Sequence, residues 1–286
     1  MRISLKTRQA IGGYLFIAVW VAGFGVFLLL PLIQNTLWSF TNRALATREQ
    51  FAFVGMENYV EAFTLDIEFV PYLVETLRNL VIDVPVILAF SLAVALLAMQ
   101  PLPGSGVFRA IFFLPVVVGS AWVVGRLFQE GGNQVVLFRG EGVQQFLQIY
   151  LGERLPAFLS FLNRSIFVLW RSGVQILIFM AGLKSIDVAL YEAAQVDGAS
   201  PWSAFWKITL PMLSPVMLIN VVYTVIDSFT DYFNIVLRYL RMVTFETQLR
   251  LGYPAALGNI YFLFIFVLVI AVFALMNKVT FYRGER

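Results

Sequence analysis

The sequence of 286 residues contains no cysteine and no histidine. Without cysteine the chain forms no disulfide and offers no thiolate to a metal ion. Without histidine it lacks the commonest general base and the commonest metal ligand of proteins. A catalytic pair of nucleophile and base therefore has no support in the sequence, and we expect no enzyme activity, metal site or cofactor on this chain.

Charged residues are scarce as well: they make up 13% of the chain, about half the share found in soluble domains. The net charge is +3, and the lysines and arginines form no long basic tract of the kind that binds nucleic acid. In their place the chain is 60% hydrophobic, with 28 Phe, 11 Tyr and 6 Trp. This composition is typical of lipid-facing helices with interfacial aromatics, so we expect an all-α polytopic membrane protein and no nucleic-acid partner.

Six apolar segments have the length of about 20 residues that a helix needs to cross a membrane. In chain order they are Ile11–Ile33, Leu80–Met99, Val107–Phe128, Ser165–Leu183, Met212–Leu237 and Gly258–Val279. The first is too long for a signal peptide and is interpreted as a retained helix. The second is expected to begin before Leu80, in the more polar stretch PYLVETLRN. We predict one transmembrane domain over residues 1–286, with five or seven spans as alternatives.

The basic residues at the two ends of the chain indicate an orientation. They are Arg2, Lys6, Arg8, Lys278, Arg283 and Arg286. An even number of spans places both termini on one side, and the positive-inside tendency makes that side cytoplasmic. Residues 34–69 and 129–164 are then extracytoplasmic loops, the second with an interfacial helix. Arg238, Arg241 and Arg250 fit this orientation poorly, because they also fall in an outer connection.

A long polar segment, residues 187–211, separates the fourth and fifth predicted spans. Asp187 is a predicted N-cap for the alanine-rich helix VALYEAAQV. Gly198 can adopt the left-handed conformation that ends a helix. The first half of this segment is therefore predicted to be a short helix closed by a glycine turn.

The second half predicts another short helix. Ser200 and Pro201 have the pattern of an N-cap followed by proline at the first helical position. One helical face carries three aromatic residues: Trp202, Phe205 and Trp206. Leu210 and Pro211 are predicted to end this helix and begin the next span. Either an interfacial hairpin with its tryptophans among lipid headgroups, or a docking element for a soluble partner, fits this pattern.

This segment resembles the EAA loop of ABC importer permeases, the membrane subunits that dock on cytoplasmic ATPases. The matching residues are Glu192, Ala193 and Ala194, Gly198 four residues later, and Ile208 with Leu210 and Pro211. The phrases GLKSIDVALYEAAQVDGAS, FVGMENYVEAF at 53–63 and FRAIFFLPVVV at 108–118 are similar to those of the carbohydrate-importer branch. The resemblance thus covers most of the chain. RYLRMVTFETQLRLGYP, after the fifth span, departs from the glycine- and proline-containing loop of many members.

The resemblance implies a type I ABC importer permease fold with six transmembrane helices in a prokaryotic plasma membrane. It implies a second homologous permease, two cytoplasmic ATPase subunits and an extracytoplasmic substrate-binding protein as partners. The implied ATPase-coupling residues are Glu192, Ala193, Ala194, Asp197, Gly198, Leu210 and Pro211. The sequence contains no GxxxxGK[ST] phosphate loop, so ATP and magnesium are expected on the ATPase subunits.

The fifth span carries a polar stripe at steps of three or four residues. Its members are Asn220, Tyr223, Asp227 and Asp231, with Asn234 one step further. Intramembrane carboxylates are costly unless they face a cavity or a partner, and such a stripe suits a polyhydroxylated ligand. A structural contact, such as Asp227 with Arg171, or contact between two permeases is the alternative.

These patterns together predict the permease subunit of a binding-protein-dependent importer for a sugar or oligosaccharide. The alternative is a self-sufficient secondary transporter in which Asp227 and Asp231 relay protons. Secondary transporters commonly contain internal repeats, whereas this sequence shows none, and an EAA loop has no purpose in such a protein. The acids of the fifth span favour neutral sugars, although arginines such as Arg171 could meet an anionic one.

Overall fold

The structure is a computed structural model that describes residues 5–42, 52–100, 106, 141–247 and 250–280. Within these ranges it is helical, as predicted, with one isolated antiparallel bridge between Thr41 and Phe53. The helices are α1 Leu5–Phe24, α2 Leu30–Trp38, α3 Glu57–Thr64, α4 Phe69–Met99, α5 Glu141–Leu151, α6 Leu155–Arg171, α7 Gly173–Lys184, α8 Val188–Val196, α9 Pro201–Ala204, α10 Leu210–Thr230, α11 Ile235–Met242 and α12 Gly252–Val279.

Four segments among the described residues are long and apolar enough to cross a membrane. They are Gly12–Trp38, Phe69–Met99, Pro201–Phe245 and Gly252–Lys278, in the places of the first, second, fifth and sixth predicted spans. A fifth candidate joins α7 to α8, with a bend of 63° between them. The third predicted span, 107–128, lies outside the described residues. The count of six spans therefore stays a prediction.

Several helices extend beyond their predicted limits. α1 and α2 are joined by the π-helical segment Gly25–Leu29 and reach Trp38, past the predicted end at Ile33. α4 begins at Phe69, so it includes the polar stretch before Leu80, as expected. α12 begins before the predicted start of the sixth span. Polar residues at the ends of a spanning helix are tolerated near the membrane surface. A search by hydropathy alone stops at these residues, so it places the helix ends too close to the membrane centre.

The fourth predicted span, Ser165–Leu183, covers the end of α6 and nearly all of α7. Ser172 is the single residue between these two helices. α6 begins at Leu155, inside the stretch 129–164 that the sequence predicts as an outer loop, and α5 precedes it there. The part of that stretch before residue 141 lies outside the described residues.

Two π-helical segments each have a proline at the second position after them. Gly25–Leu29 precedes Pro31, and Phe205–Thr209 precedes Pro211. Proline in an α-helix removes one N–H and clashes with the carbonyl four residues back. In the wider π-turn the next N–H bonds to the carbonyl five residues back, which accommodates the ring. The helix therefore continues through the proline, and the prediction that Leu210 and Pro211 end it is wrong.

The fifth predicted span, Met212–Leu237, is broken near its end. α10 stops at Thr230, and Asp231 has extended backbone, with φ −60° and ψ 138°. The Asp231 carboxylate accepts a hydrogen bond from the N–H of Phe233 at 2.7 Å, and α11 begins at Ile235. The prediction of a single helix is therefore wrong beyond Thr230. The 21 residues of α10 extend about 31 Å, enough to cross the hydrocarbon core without α11.

The chain divides into two compact units. One consists of residues 1–74 and 235–264, and the other of residues 75–234 and 265–286. Each is described separately below. The single domain predicted over 1–286 stays a prediction.

In the first unit, polar side chains join α12 to α2 and α3. Asn259 donates to Ser39 Oγ at 3.2 Å and to Tyr59 Oη at 3.1 Å, while its own amide oxygen accepts from Asn35 at 2.8 Å. The buried Asn58 donates to two backbone carbonyls just after α2, at 2.8 and 3.0 Å. These bonds fix the first connection between spans against the start of α12.

In the second unit, the apolar core lies between α4, α7 and α10. It comprises Val94, Ala95, Ala98, Ile176, Phe179, Met180, Leu183, Ile186 and Leu213. Gly182 permits the close approach of α7 to α10, because a Cβ there would lie 2.8 Å from Val216. This core places the start of α8, directly after α7, beside the start of α10.

Candidate functional site

Helix α8 has well-defined ends, as the sequence predicts. At its start the Asp187 carboxylate accepts from the N–H of Ala189 at 3.0 Å. At its end Gly198 has φ +79°, and the N–H of Ala199 bonds to the carbonyl of Ala194 at 2.8 Å. This is a Schellman-type end, which requires a left-handed residue at the glycine position. The helix therefore stops at a defined point and the chain turns back.

The next helix starts at the predicted cap. Ser200 Oγ accepts from the N–H of Ser203 at 3.2 Å, and Pro201 is the first helical residue. Three residues here form an aromatic trio of mutually contacting rings: Trp202, Phe205 and Trp206. The centroids of the two indoles lie 5.5 Å apart in an edge-to-face arrangement. Both indoles point outward, with exposed fractions of 70% for Trp202 and 53% for Trp206.

The residues predicted to couple to an ATPase all lie in this loop. Glu192, Ala193, Asp197 and Gly198 are exposed, whereas Ala194, Leu210 and Pro211 are half-buried. α8 therefore presents one acidic and small-residue face outward and rests its other face on the protein. Leu210 and Pro211 lie within the continuous helix that leads into α10 and do not join the exposed face.

A hydrogen bond that the sequence did not predict braces α8 against the following helix. The hydroxyls of Tyr191 and Thr209 lie 2.9 Å apart. Under this brace, α4, α7, α8 and the helix start enclose a mostly apolar cavity of about 750 Å³. Tyr191 is the neighbour of Glu192, so this contact joins the residue beside the exposed acid to the residue just before α10.

Arg171, at the end of α6, holds the two acids of the predicted polar stripe. Its Nη2 lies 2.9 Å from Asp227 Oδ2 and donates to Ser228 Oγ at 3.0 Å, and its Nε lies 3.4 Å from Asp231 Oδ2. The guanidinium also lies 5.0 Å from the Phe167 ring centroid. The Arg171 side chain is only 7% exposed, against 35% for Asp227 and 17% for Asp231. The pairing that the sequence left as an alternative is present, and the accessible part of the cluster is anionic.

The rest of the stripe divides into buried and accessible parts. Asn220 is fully buried and donates to the carbonyl of Gln175 at 3.1 Å, so it lies in the contact between α10 and α7. Gln175 in turn donates to Thr224 at 3.3 Å. The amide oxygens of Gln175 and Asn220 have no hydrogen-bond partner among the described residues. Tyr223 is half-buried, so it and Asp227 are the members of the stripe on α10 that a ligand reaches most readily.

A second polar cluster, in the other unit, escaped prediction. Asp66 accepts hydrogen bonds from the hydroxyls of Tyr239, at 2.7 Å, and Tyr253, and from the N–H groups of Glu68 and Phe69, both at 2.9 Å. Burial alone raises the pKa of Asp66, but these four bonds to the carboxylate outweigh it and hold the pKa below its ordinary value of 3.8. The two tyrosines are about 170 to 190 residues away in the chain, so no local pattern indicates them.

The same unit contains Arg250, one of the three arginines that fit the predicted orientation poorly. Arg250 makes two hydrogen bonds to the carboxylate of Glu61, at 2.9 and 3.0 Å. With Asp66 and its tyrosines, Glu61 lines a cavity of about 240 Å³. Arg250 thus pairs with an acid of the same unit. The positive-inside tendency counts basic residues and not net charge, so this pairing leaves the poor fit of Arg250 to the predicted orientation in place. Among the described residues, no group of three or more acidic side chains could hold a metal ion.

Comparison with known proteins identifies the family. Residues 142–281 match the model of the binding-protein-dependent transport system inner membrane component. The chain is 31% identical over 234 residues to the probable ABC transporter permease protein YesP of Bacillus subtilis, covering 79% of this chain and 72% of that protein. This chain belongs to that family. The permease is also 30% identical over 244 residues to the lactose transport system permease protein LacF of Rhizobium radiobacter, covering 82% and 78% of the two chains.

The fold agrees with this membership. The crystal structure of a bacterial ABC transporter involved in the import of the acidic polysaccharide alginate superposes on the permease with a TM-score of 0.71. The superposition covers 96% of this chain and 97% of that chain at 19% identity, so it supports the fold alone. The resemblance carried by the EAA loop is confirmed, and the permease is a multi-pass inner-membrane protein. The prediction that it carries no cofactor stays a prediction.

Proposed function

We propose that this permease carries a sugar or an oligosaccharide across the inner membrane. Three relatives support a carbohydrate: they are named for lactose, for trehalose and maltose, and for arabinooligosaccharides, at 30% identity each. We propose further that it has six spans in a type I fold, both termini in the cytoplasm, and residues 34–69 and 129–164 outside.

The observation that carries the coupling mechanism is the form of α8. It is a short helix with fixed ends, an exposed acid at Glu192 and a brace from Tyr191 to the start of α10. A stiff helix of this kind can seat in a groove on an ATPase subunit and transmit its displacement. Two ATPase subunits bind and hydrolyse ATP with magnesium, and they act on this permease and a second homologous one. An extracytoplasmic binding protein delivers the sugar.

For the path of the sugar we propose the accessible side of the polar stripe. Tyr223 offers a ring face for stacking, and Asp227 offers a partly exposed carboxylate to sugar hydroxyls. Two further residues belong to the predicted set. Asp231 contacts Arg171, which also holds Asp227, and Asn220 lies in the contact between α7 and α10. Single alanine replacements of Tyr223, Asp227 and Asp231 are expected to lower uptake without lowering assembly of the complex, whereas Asn220→Ala tests helix packing, because Asn220 is fully buried.

The function is tested on the purified complex of both permeases, the ATPase subunits and the binding protein in lipid. Neutral and acidic oligosaccharides are added with the binding protein, and ATP hydrolysis is measured. We expect stimulation of several-fold by one class of sugar. Hydrolysis that no sugar stimulates, although the binding protein binds it, contradicts a sugar importer.

The alternative function, a proton-coupled secondary transporter, is distinguished from an ATP-driven importer by its energy source. Uptake into cells is measured after ATP depletion and, separately, after collapse of the proton gradient. We expect loss of uptake on ATP depletion. Uptake that persists without ATP and stops with the gradient supports proton relay by Asp227 and Asp231 instead.

A further inference from the structure

The loop between α7 and α10 has two halves of opposite chemical character. Residues 187–198 contain three acids, at positions 187, 192 and 197, and no lysine or arginine. Residues 199–211 contain no acid, one lysine at position 207 and the aromatic trio. A single protein groove complementary to the acidic half is a poor match for the aromatic and weakly basic half. The two halves therefore present two different surfaces.

The aromatic half lies on a helix that leads without a break into the membrane. From Pro201 to Thr230 this helix extends about 45 Å, whereas the hydrocarbon core is about 30 Å thick. The apolar residues of α10 are long enough to fill the core, so the excess of about 15 Å falls before Leu210. The excess is thus the part of the helix that carries the trio.

The depth of each indole follows from the helical rise. Trp206 lies about 6 Å and Trp202 about 12 Å before Leu210 along the helix axis. Each headgroup layer is about 5 to 8 Å thick, so Trp206 falls inside it and Trp202 lies about 4 Å or more beyond it, on the water side. A tilt of the helix brings both closer to the core.

The exposure and chemistry of these side chains suit a lipid surface. The two indoles are among the most exposed large rings of the second unit, and indoles favour the headgroup layer, where one edge meets water and the ring meets acyl chains. Lys207 is exposed directly after Trp206, and lysine next to such a layer is attracted to anionic headgroups. α8 carries no such ring on its exposed face, and together with its two capping residues it has three acids that anionic lipid repels.

We propose that Trp206 and Lys207, with Trp202 on their water side, form a lipid anchor, which holds the second half of the loop in an anionic headgroup layer while α8 engages the soluble partner. The anchor holds the start of α10 at the depth of the headgroup layer. A displacement of α8 that reaches the start of α10 through Tyr191 and Thr209 then tilts or rotates α10 rather than moving it out of the membrane. The lipid contact rests on the membrane helix alone; its role in transmission rests on the proposed function.

The test uses the full complex in nanodiscs of phosphatidylcholine with or without phosphatidylglycerol. The chain has six tryptophans, so variants that keep one and replace the others by phenylalanine give its fluorescence once the signal of the same complex with all six replaced is subtracted. Trp206, Trp202 and, as control, Trp20 inside the first span are kept in turn. Lipids brominated near the headgroup or near the chain end quench at known depths. We expect headgroup-side bromine to quench Trp206 about twofold more than chain-end bromine, Trp202 to show a weaker effect, and Trp20 the reverse order.

Three results decide the proposal. Quenching of Trp206 by neither lipid, together with an emission shift when the ATPase subunits bind, overturns it in favour of a protein-docked trio. Stronger quenching of Trp206 by chain-end bromine overturns the interfacial depth. Lys207→Gln is expected to lower quenching only in discs with phosphatidylglycerol, and an unchanged signal overturns the anionic contact. ATP hydrolysis with the binding protein, measured on the same discs, separates failure of the proposed function from failure of the anchor.

Discussion

Arg171 is a buried cation that pairs with two carboxylates, Asp227 near the end of α10 and Asp231 directly after it. Asp227→Asn leaves Asp231 to balance the guanidinium, so we expect a small loss of stability of about 1 kcal/mol, because Asp227 is partly exposed. The double change Asp227→Asn with Asp231→Asn leaves the buried charge with neither acid and costs about 3 to 5 kcal/mol.

The loss for the double variant therefore exceeds the sum of the two single losses. The measurement is the melting temperature of the purified complex for both single variants and the double. Adding Arg171→Gln to the double variant is the control, because it removes the unpaired charge and recovers part of the loss. Additive shifts contradict a shared arginine.

Glu192 is the exposed acid of α8, and we expect it to pair with a basic group on the ATPase. Glu192→Ala and Glu192→Gln should each weaken co-purification of the ATPase by about tenfold, since a charge-assisted contact of about 1.4 kcal/mol is lost. Gln195→Ala, also exposed on α8, is the matched control. Undiminished co-purification together with normal transport rules out this role.

Asp66 links the stability of its unit to pH. Its pKa is lower in the folded protein than its ordinary value of 3.8, so its stabilising contribution is complete above that value and is lost as the pH falls through the lower folded pKa. Asp66→Asn should therefore lower the melting temperature at pH 7 and reduce the further drop between about pH 4 and lower pH. The exposed neighbour change Glu68→Gln is the control. If the melting temperature of Asp66→Asn falls as much as that of the wild type over this pH interval, groups other than Asp66 dominate the pH dependence.

At the scale of single elements, Gly198 sets the end of α8. A side chain there meets no atom within 4 Å, so the effect of a substitution comes from the backbone, which has φ +79°. Gly198→Val should disturb the turn strongly, Gly198→Ala should cost about 1 kcal/mol, and Gly198→Asn should be tolerated best, because asparagine enters the left-handed region more readily. ATPase co-purification and melting temperature rank the three. Equal behaviour of Val and Asn argues against a required left-handed turn.

The elements that could be predicted are those fixed by local chemistry. Asp187, Gly198 and Ser200 act on backbone groups within three or four residues, so their caps follow from the sequence. The break after Thr230 could not be predicted in this way, because hydropathy continues across it. Asp231 there caps the following turn with its own carboxylate and meets an arginine 60 residues earlier in the chain. Proline rules failed at Pro211 because they assume an α-helical turn before the proline, and the turn there is π-helical.

At the scale of the whole molecule, the proposed orientation places α3 outside the cell membrane and α8 inside. Since the chain has no cysteine, single cysteines can be placed without other changes. Val60→Cys and Gln195→Cys are both at exposed positions. An impermeant maleimide should label the first only in spheroplasts and the second only in inside-out vesicles. Labelling of each cysteine only from the opposite side contradicts cytoplasmic termini. Labelling of both cysteines from the same side contradicts an odd number of spans between residues 60 and 195.

The π-helical segment Phe205–Thr209 has a consequence for how such loops can vary. Each α-helical residue turns the chain by about 100° and advances it by about 1.5 Å. The π segment holds one residue more than an α-helix needs for the same rotation, because its N–H groups bond five residues back instead of four. Deletion of one residue within the segment would restore α geometry and leave the trio and α8 facing almost the same way relative to α10, whereas deletion from an α-helical turn would rotate them by about 100°. This turn is therefore a place at which related permeases can gain or lose one residue without re-aiming their loops.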